Sequence, residues 1–143
     1  MTISHEAVTE HERLVGATVL VVEDNSVIGL DLQLTLEAFG YRVLGPASSN
    51  EEVLAMLAHE RWPDVAVVDL HLTDGLATPV TEALSALGIP FLLLTGSDDD
   101  DVARPGSAPQ LGKPHAPDAL ERTVRLLLLG RSIQPSAAPA ISW

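Results

Sequence analysis

The sequence predicts an α/β fold, a parallel sheet with helices on both faces. Apolar runs of strand length alternate with helix-period stretches five times along the 143 residues. The connections between them are short, as crossover units require. The third run, Val65-Ala66-Val67-Val68, is mostly β-branched and bounded by polar and turn residues, the pattern of a strand buried on both faces. The length fits one domain with a single core, and an aromatic content of 3% makes that core aliphatic.

Residues 1–16 read as a polar arm, with a short helix over Glu10–Leu14. The first strand is Thr18–Val22, followed by Glu23-Asp24-Asn25. A helix over Ser26–Phe39 places Ile28, Leu32, Leu36 and Phe39 on one face, and Gly40 stops it. Leu30 and Leu34 widen the apolar stripe, so more than one face of this helix is expected to be buried. Tyr41–Gly45 is a short second strand ending before Pro46. Ser49 and Glu52 fit a capping box for a helix reaching about Arg61, with Val53, Leu54 and Leu57 inward. After the third strand come Asp69 and a turn at Thr73-Asp74-Gly75, then a helix over Thr78–Leu87 stopped by Gly88. The fourth strand, Ile89–Leu94, ends in Thr95-Gly96. Ser97–Ala108 holds four consecutive acids, Pro105 and Gly106, and leaves room for one helical turn at most. Pro109–Gly112 is the fifth strand and Asp118–Leu129 the last helix, with Pro117 in its first turn and Leu120, Val124, Leu127 and Leu128 on its core face. Leu126 and Leu129 fall elsewhere and are expected to form a contact face, a homodimer being one use of it. Residues 131–143 are a Pro/Ala/Ser-rich tail, which leaves 17–130 as the folded domain.

The charge balance narrows the function. A net charge of −12 argues against general nucleic-acid binding and against anionic membranes. The absence of cysteine excludes disulfides and thiolate metal sites. Neither a signal peptide nor an apolar run of membrane-spanning length is visible, so a cytoplasmic protein is expected.

Four strand ends carry chemistry: Glu23-Asp24, Asp69, Thr95 and Lys113, the last being the single lysine among eight basic residues. A parallel sheet gathers its strand ends on one edge, where ligands bind. Acids collected there repel one another, and a hard divalent cation with oxygen ligands relieves the repulsion. A hydroxyl and an ammonium beside such a cation suit a transferring phosphoryl group. Each group alone has a plain reading, as a loop start, a strand end or a surface lysine; the combination points to chemistry. The run of acids at 98–101 reads as a solvated loop.

The segments VLVVEDN (19–25), VAVVDLHLTDG (65–75), LLLTG (92–96) and GKP (112–114) together resemble the receiver domain of two-component response regulators. The resemblance covers about residues 17–130. It implies a flavodoxin-like sheet with strand order 2-1-3-4-5 and makes Asp69 the phosphoacceptor. Asp24 and Asp69 would bind Mg²⁺ directly, Glu23 through water and His71 through its backbone carbonyl. Thr95 would hydrogen-bond a phosphoryl oxygen, and Lys113 would pair with Asp69 and then with the phosphoryl group. It also implies a cis Lys113–Pro114 peptide. The partners implied are a histidine kinase or phosphotransferase and a further downstream protein.

The departures from the family pattern are specific. Gln110 stands where receivers carry Tyr or Phe, Gly96 follows Thr95 in place of Ala, and the fourth helix is shortened or disordered. These features are similar to a subgroup of single-domain receivers marked by a Phe-Ala-Thr-Gly motif, although Leu93-Leu94 replace residues of that motif. They imply that residues 97–108 report the state of the site. A stand-alone receiver without an output domain is expected, signalling through protein contacts or acting as a phosphate relay or sink rather than as an enzyme. The rival readings are a small Mg²⁺-dependent phosphohydrolase with an aspartyl-phosphate intermediate and a scaffold that needs no phosphorylation.

Overall fold

The computed structural model describes residues 16–96, 108–112 and 116–133. In chain order the elements are β1 (Thr18–Val22), α1 (Ser26–Ala38), β2 (Arg42–Ala47), α2 (Asn50–Ala58), β3 (Val65–Asp69), β4 (His71–Leu72), β5 (Gly75–Leu76), α3 (Thr78–Ala86), β6 (Phe91–Thr95), β7 (Gln110–Gly112) and α4 (Pro117–Ile133). A five-stranded sheet runs β2-β1-β3-β6-β7 with every neighbouring pair parallel. Setting aside the β4–β5 hairpin, this is the expected order 2-1-3-4-5 of a flavodoxin-like fold. The expected shortening of a fourth helix, the helix over Glu10–Leu14 and the tail from 134 onward lie outside the described residues.

Alternation along the strands makes two apolar layers. Leu20, Val22, Ala66, Val68, Phe91 and Leu93 face one side and pack with Val53 and Leu57 of α2 and Val80 and Leu84 of α3. Val19, Val21, Val65, Val67, Leu92 and Leu94 face the other and pack with α1 and α4. In α4 the core stripe is Leu120, Val124, Leu127 and Leu128, as the periodicity predicts. The helix runs to Ile133, past the expected end at Leu129. Tyr41 ties this helix to the sheet, its hydroxyl donating to Glu121 Oε2 at 2.9 Å, while Glu121 Oε1 pairs with Arg125 at 3.3 Å. Burial first, and then the Glu121 hydrogen bond, push the phenol above its ordinary pKa.

Several sequence expectations need correction. Pro46 does not end β2, because the strand slips by one residue against β1: Leu20 pairs with Leu44 but Val22 with Ala47. The extra residue makes a bulge at Gly45-Pro46, where the peptide is cis. Leu30 and Leu34 are 51% and 55% exposed, so α1 buries one face only. Leu54 is likewise exposed rather than inward. Leu126 is exposed, and Leu129, three residues on, packs partly against the core. Among the described residues no helix is long and apolar enough to cross a membrane.

Helix α2 stops at Ala58, short of the expected Arg61. Glu60 adopts φ 60°, Glu60 N–H donates to Leu57 O and Arg61 N–H to Met56 O, which is a Schellman ending made without glycine. His59 Nδ1 lies 2.8 Å from Ala55 O, and Trp62 Nε1 donates to Leu57 O at 3.0 Å. A β-carbon in the left-handed region is unfavourable. Glu60→Gly is therefore expected to raise stability by about 1 kcal/mol in chemical denaturation, net of the extra entropy of an unfolded glycine. An unchanged or lower midpoint would show that the Glu60 side chain compensates its own backbone.

Candidate functional site

The register of the sheet assembles the site. Val22 pairs with Val68, so Glu23 follows β1 beside Asp69 at the end of β3. Asp69 pairs with Leu94, which puts Thr95 one residue further along the same edge. Thr95 in turn pairs with Gly112, the residue before Lys113. Lys113 and the Lys113–Pro114 peptide lie outside the described residues, as does the 97–108 segment apart from Ala108. Gln110 is exposed on β7.

Glu23, Asp24 and Asp69 each present a carboxylate oxygen, and these atoms lie within 4.8 Å of one another. Glu23 and Asp69 are buried, at 2% and 4% exposure, while Asp24 faces solvent. Thr95 is also buried. The turn after β1 is held by its own residues: Asn25 caps α1, its Oδ1 accepting from the N–H groups of Val27 and Ile28 at 3.0 Å. The Asn25 N–H donates to Glu23 Oε2 at 3.1 Å. Across the cluster, the His71 N–H donates to Asp69 Oδ1 at 3.2 Å. The His71 residue itself is exposed. A depression of about 260 Å³ opens beside Glu23 and Asp24, bounded by Leu30 and Gln33 of α1 and by Pro46 and Ser48. Hard oxygen donors of this kind suit Mg²⁺, which keeps several waters and needs few protein ligands.

The structure thus brings together Glu23, Asp24, Asp69 and the start of β4 at His71, with Thr95 on the next strand. It also reveals a support that sequence reasoning missed. Asp74, read as a turn residue, accepts from Asn50 N–H at 2.9 Å, Asn50 Nδ2 at 3.1 Å and Glu51 N–H at 3.2 Å. The capping box is also altered: Ser49 Oγ accepts from Glu52 N–H, but Glu52 reaches back to Ser48 N–H rather than to Ser49. The Asn50 backbone hydrogen bond is the largest cause holding the Asp74 carboxyl below its ordinary pKa. The fold favours the ionised form, so this contribution is present above the usual carboxylate value and lost as pH falls through the folded one. The Asp-Gly pair at 74–75 was the one available sequence signal, since such pairs mark hairpins.

No family model matches the chain. The Phyllosphere-induced regulator PhyR of Methylorubrum extorquens is 26% identical over 103 residues, covering 69% of this chain and 39% of that protein. The crystal structure of the response regulator PhyR from Brucella abortus superposes with a TM-score of 0.74 at 26% identity, over 93% of this chain and 56% of the other. The solution structure of SdrG from Sphingomonas melonis Fr1 is 32% identical with a TM-score of 0.66, over 80% of this chain and 98% of SdrG. The chain belongs to the response regulator receiver family. As a receiver domain it spans well under two thirds of either PhyR chain. The acidic cluster of this receiver domain sits at the carboxyl edge of the sheet, outside the strand ends, where open parallel sheets bind ligands.

Proposed function

We propose that this receiver domain accepts a phosphoryl group on Asp69 from a phosphohistidine of a histidine kinase or phosphotransferase, in the cytoplasm, and signals by protein contact or passes the group on. The observation that carries the reading is the Glu23–Asp24–Asp69 cluster on the carboxyl edge of a receiver sheet. An Asp69 oxygen attacks phosphorus, the bond from phosphorus to the imidazole nitrogen breaks, and the electron pair leaves with the imidazole. The product is an acyl phosphate, which water later cleaves to restore the carboxylate and release inorganic phosphate. Asp24 and Asp69 would hold Mg²⁺ directly, with Glu23 through water and His71 through its backbone carbonyl. When bound, the ion neutralises charge on the carboxylates and the phosphoryl oxygens.

The remaining groups act on position and charge. The His71 N–H bond fixes Asp69 Oδ1, so the carboxylate is oriented before a donor arrives. Thr95, one register step from Asp69, would donate its hydroxyl to a phosphoryl oxygen. Lys113, next in chain to the residue paired with Thr95, would supply a cation to the same group. The domain is a phosphoacceptor rather than a turnover enzyme in this reading.

The test is incubation of the protein with Mg²⁺ and acetyl phosphate, followed by intact-mass measurement. An adduct of one HPO₃ is expected on the wild type and absent from Asp69→Asn. Repeated turnover of varied phosphomonoesters would favour a phosphohydrolase instead. Neither adduct nor turnover would leave a phosphorylation-independent scaffold.

A further inference from the structure

We infer that Asn50 and Asp74 are positioning residues for the cation and phosphoryl site, forming a polar staple that fixes the His71 end of the acidic cluster; this rests on the proposed function. The excursion after β3 is short and closed at its base, where Ala77 N–H donates to Leu70 O at 2.9 Å. Within it, Leu72 is buried in the core and His71 bonds Asp69. The outer end is tied to a different part of the chain. Asp74 takes three donors from the first turn of α2. The Thr73 N–H and Oγ1 both donate to Ser48 O, each at 3.1 Å. Asn50, only 6% exposed, completes the tie: its Nδ2 donates to Leu76 O at 2.9 Å and its Oδ1 accepts from Val80 N–H at 3.2 Å. Helix α3 has no side-chain cap at its own first residues, so Asn50 supplies that acceptor from another helix.

These bonds close a ring around the cluster. From Asp69 the chain runs through His71 to Thr73 and Asp74, and hydrogen bonds carry it to Ser48 and Asn50. Ala47, the residue before Ser48, accepts from Glu23 N–H at 2.8 Å. The two loops that would carry ligands, Glu23-Asp24 and Asp69–His71, are therefore braced against each other through the β2–α2 connection. The sheet register sets Glu23 beside Asp69, and the β4–β5 hairpin pairs His71 with Leu76. The staple ties the outer end of that hairpin to α2, which is how a supporting shell tunes a metal site.

The test uses the full chain labelled with ¹⁵N and titrated with Mg²⁺ alone, following the Asp69 and His71 amide shifts, with stability measured in parallel by denaturation. Asp74→Ala is expected to raise the Mg²⁺ midpoint about tenfold. Asp74→Asn, which keeps one acceptor oxygen toward Asn50, is expected to recover part of it. Should Asp74→Ala fail to fold, Thr73→Val removes one hydroxyl bond and is expected to raise the midpoint severalfold. An Asp74→Ala protein, or in its place a Thr73→Val protein, that is less stable yet keeps the wild-type Mg²⁺ midpoint overturns the inference, because a merely structural role would do that. A wild type whose amides ignore Mg²⁺ overturns the proposed cation site, and the staple's role with it.

Discussion

Gly45→Ala is expected to destabilise the domain by about 3–5 kcal/mol, the sum of overpacking against fixed backbone and a left-handed conformation. Gly45 has φ +99°, and an added β-carbon would stand 2.8 Å from both Ala47 N and Val21 O. Both neighbours are backbone atoms of the sheet, so neither can rotate away as a side chain would. For a chain of this size that loss lowers the thermal midpoint by roughly 10 °C or more. Gly88→Ala is the matched control. It has φ +72° with nothing within 4 Å of the new carbon, so it carries the conformational term without the clash. Its expected cost is about 1–2 kcal/mol. If the two variants melted together, the contact with Val21 and Ala47 would be soft, and the bulge would be adaptable rather than fixed.

The same bulge explains why the sequence misread this strand. Pro46 has no N–H, and a proline inside a strand argues for an edge or a bulge. Here both hold, since β2 is an edge strand and the register slips at that point. The slip has a consequence at the site, because it brings Ala47 O to Glu23 N–H and Pro46 to the rim of the depression beside Glu23. Gly29 of α1 makes room for this proline: a β-carbon there would lie 3.1 Å from Pro46 Cβ. None of those contacts is written in local pattern.

What was legible in the sequence was apolar run length and helical period. The continuous apolar runs of β1, β3 and β6 placed Glu23, Asp69 and Thr95 at strand ends, and a parallel sheet then needs only register to bring them together. The 3.6-residue period found Leu32, Leu36, Leu120 and Val124. It failed at Leu30, Leu34 and Leu54, where apolar residues stand on faces that nothing in the described structure covers. Hydropathy alone cannot say which of two apolar faces meets the sheet. The end of α2 was missed because a left-handed glutamate replaced the expected glycine. The Asn50–Asp74 staple was missed for a deeper reason: its partners are 24 residues apart, and each has a sufficient local explanation as cap or turn.

The acidic cluster sets an opposition between stability and function that a second variant exposes. Two unit charges at the 4.8 Å limit of the cluster repel by about 3 kcal/mol at an effective dielectric near 20. Glu23 and Asp69 are almost fully buried, so water screens their share of this poorly. Asp24 is exposed, and its share is smaller, about 1 kcal/mol or less. Asp24→Asn in a chelator is therefore expected to be at least as stable as the wild type, although it removes a charged residue from the site. With Mg²⁺ at about a hundredfold above its dissociation constant, the wild type should gain about 2.7 kcal/mol, because the ion binds only the folded state. The variant, lacking one of the proposed direct ligands, should gain much less. The two stability curves therefore cross as Mg²⁺ is added, and no phosphodonor is needed to see it. Raising monovalent salt separates the two effects. It shrinks the advantage of Asp24→Asn, which is Coulombic and solvent-exposed. The gain from Mg²⁺ at saturation depends on the bound ligand set and should persist. Parallel curves with no crossing would mean that the three carboxylates are balanced without a divalent cation, and the reading of this edge as a cation-assisted phosphoryl site would fall.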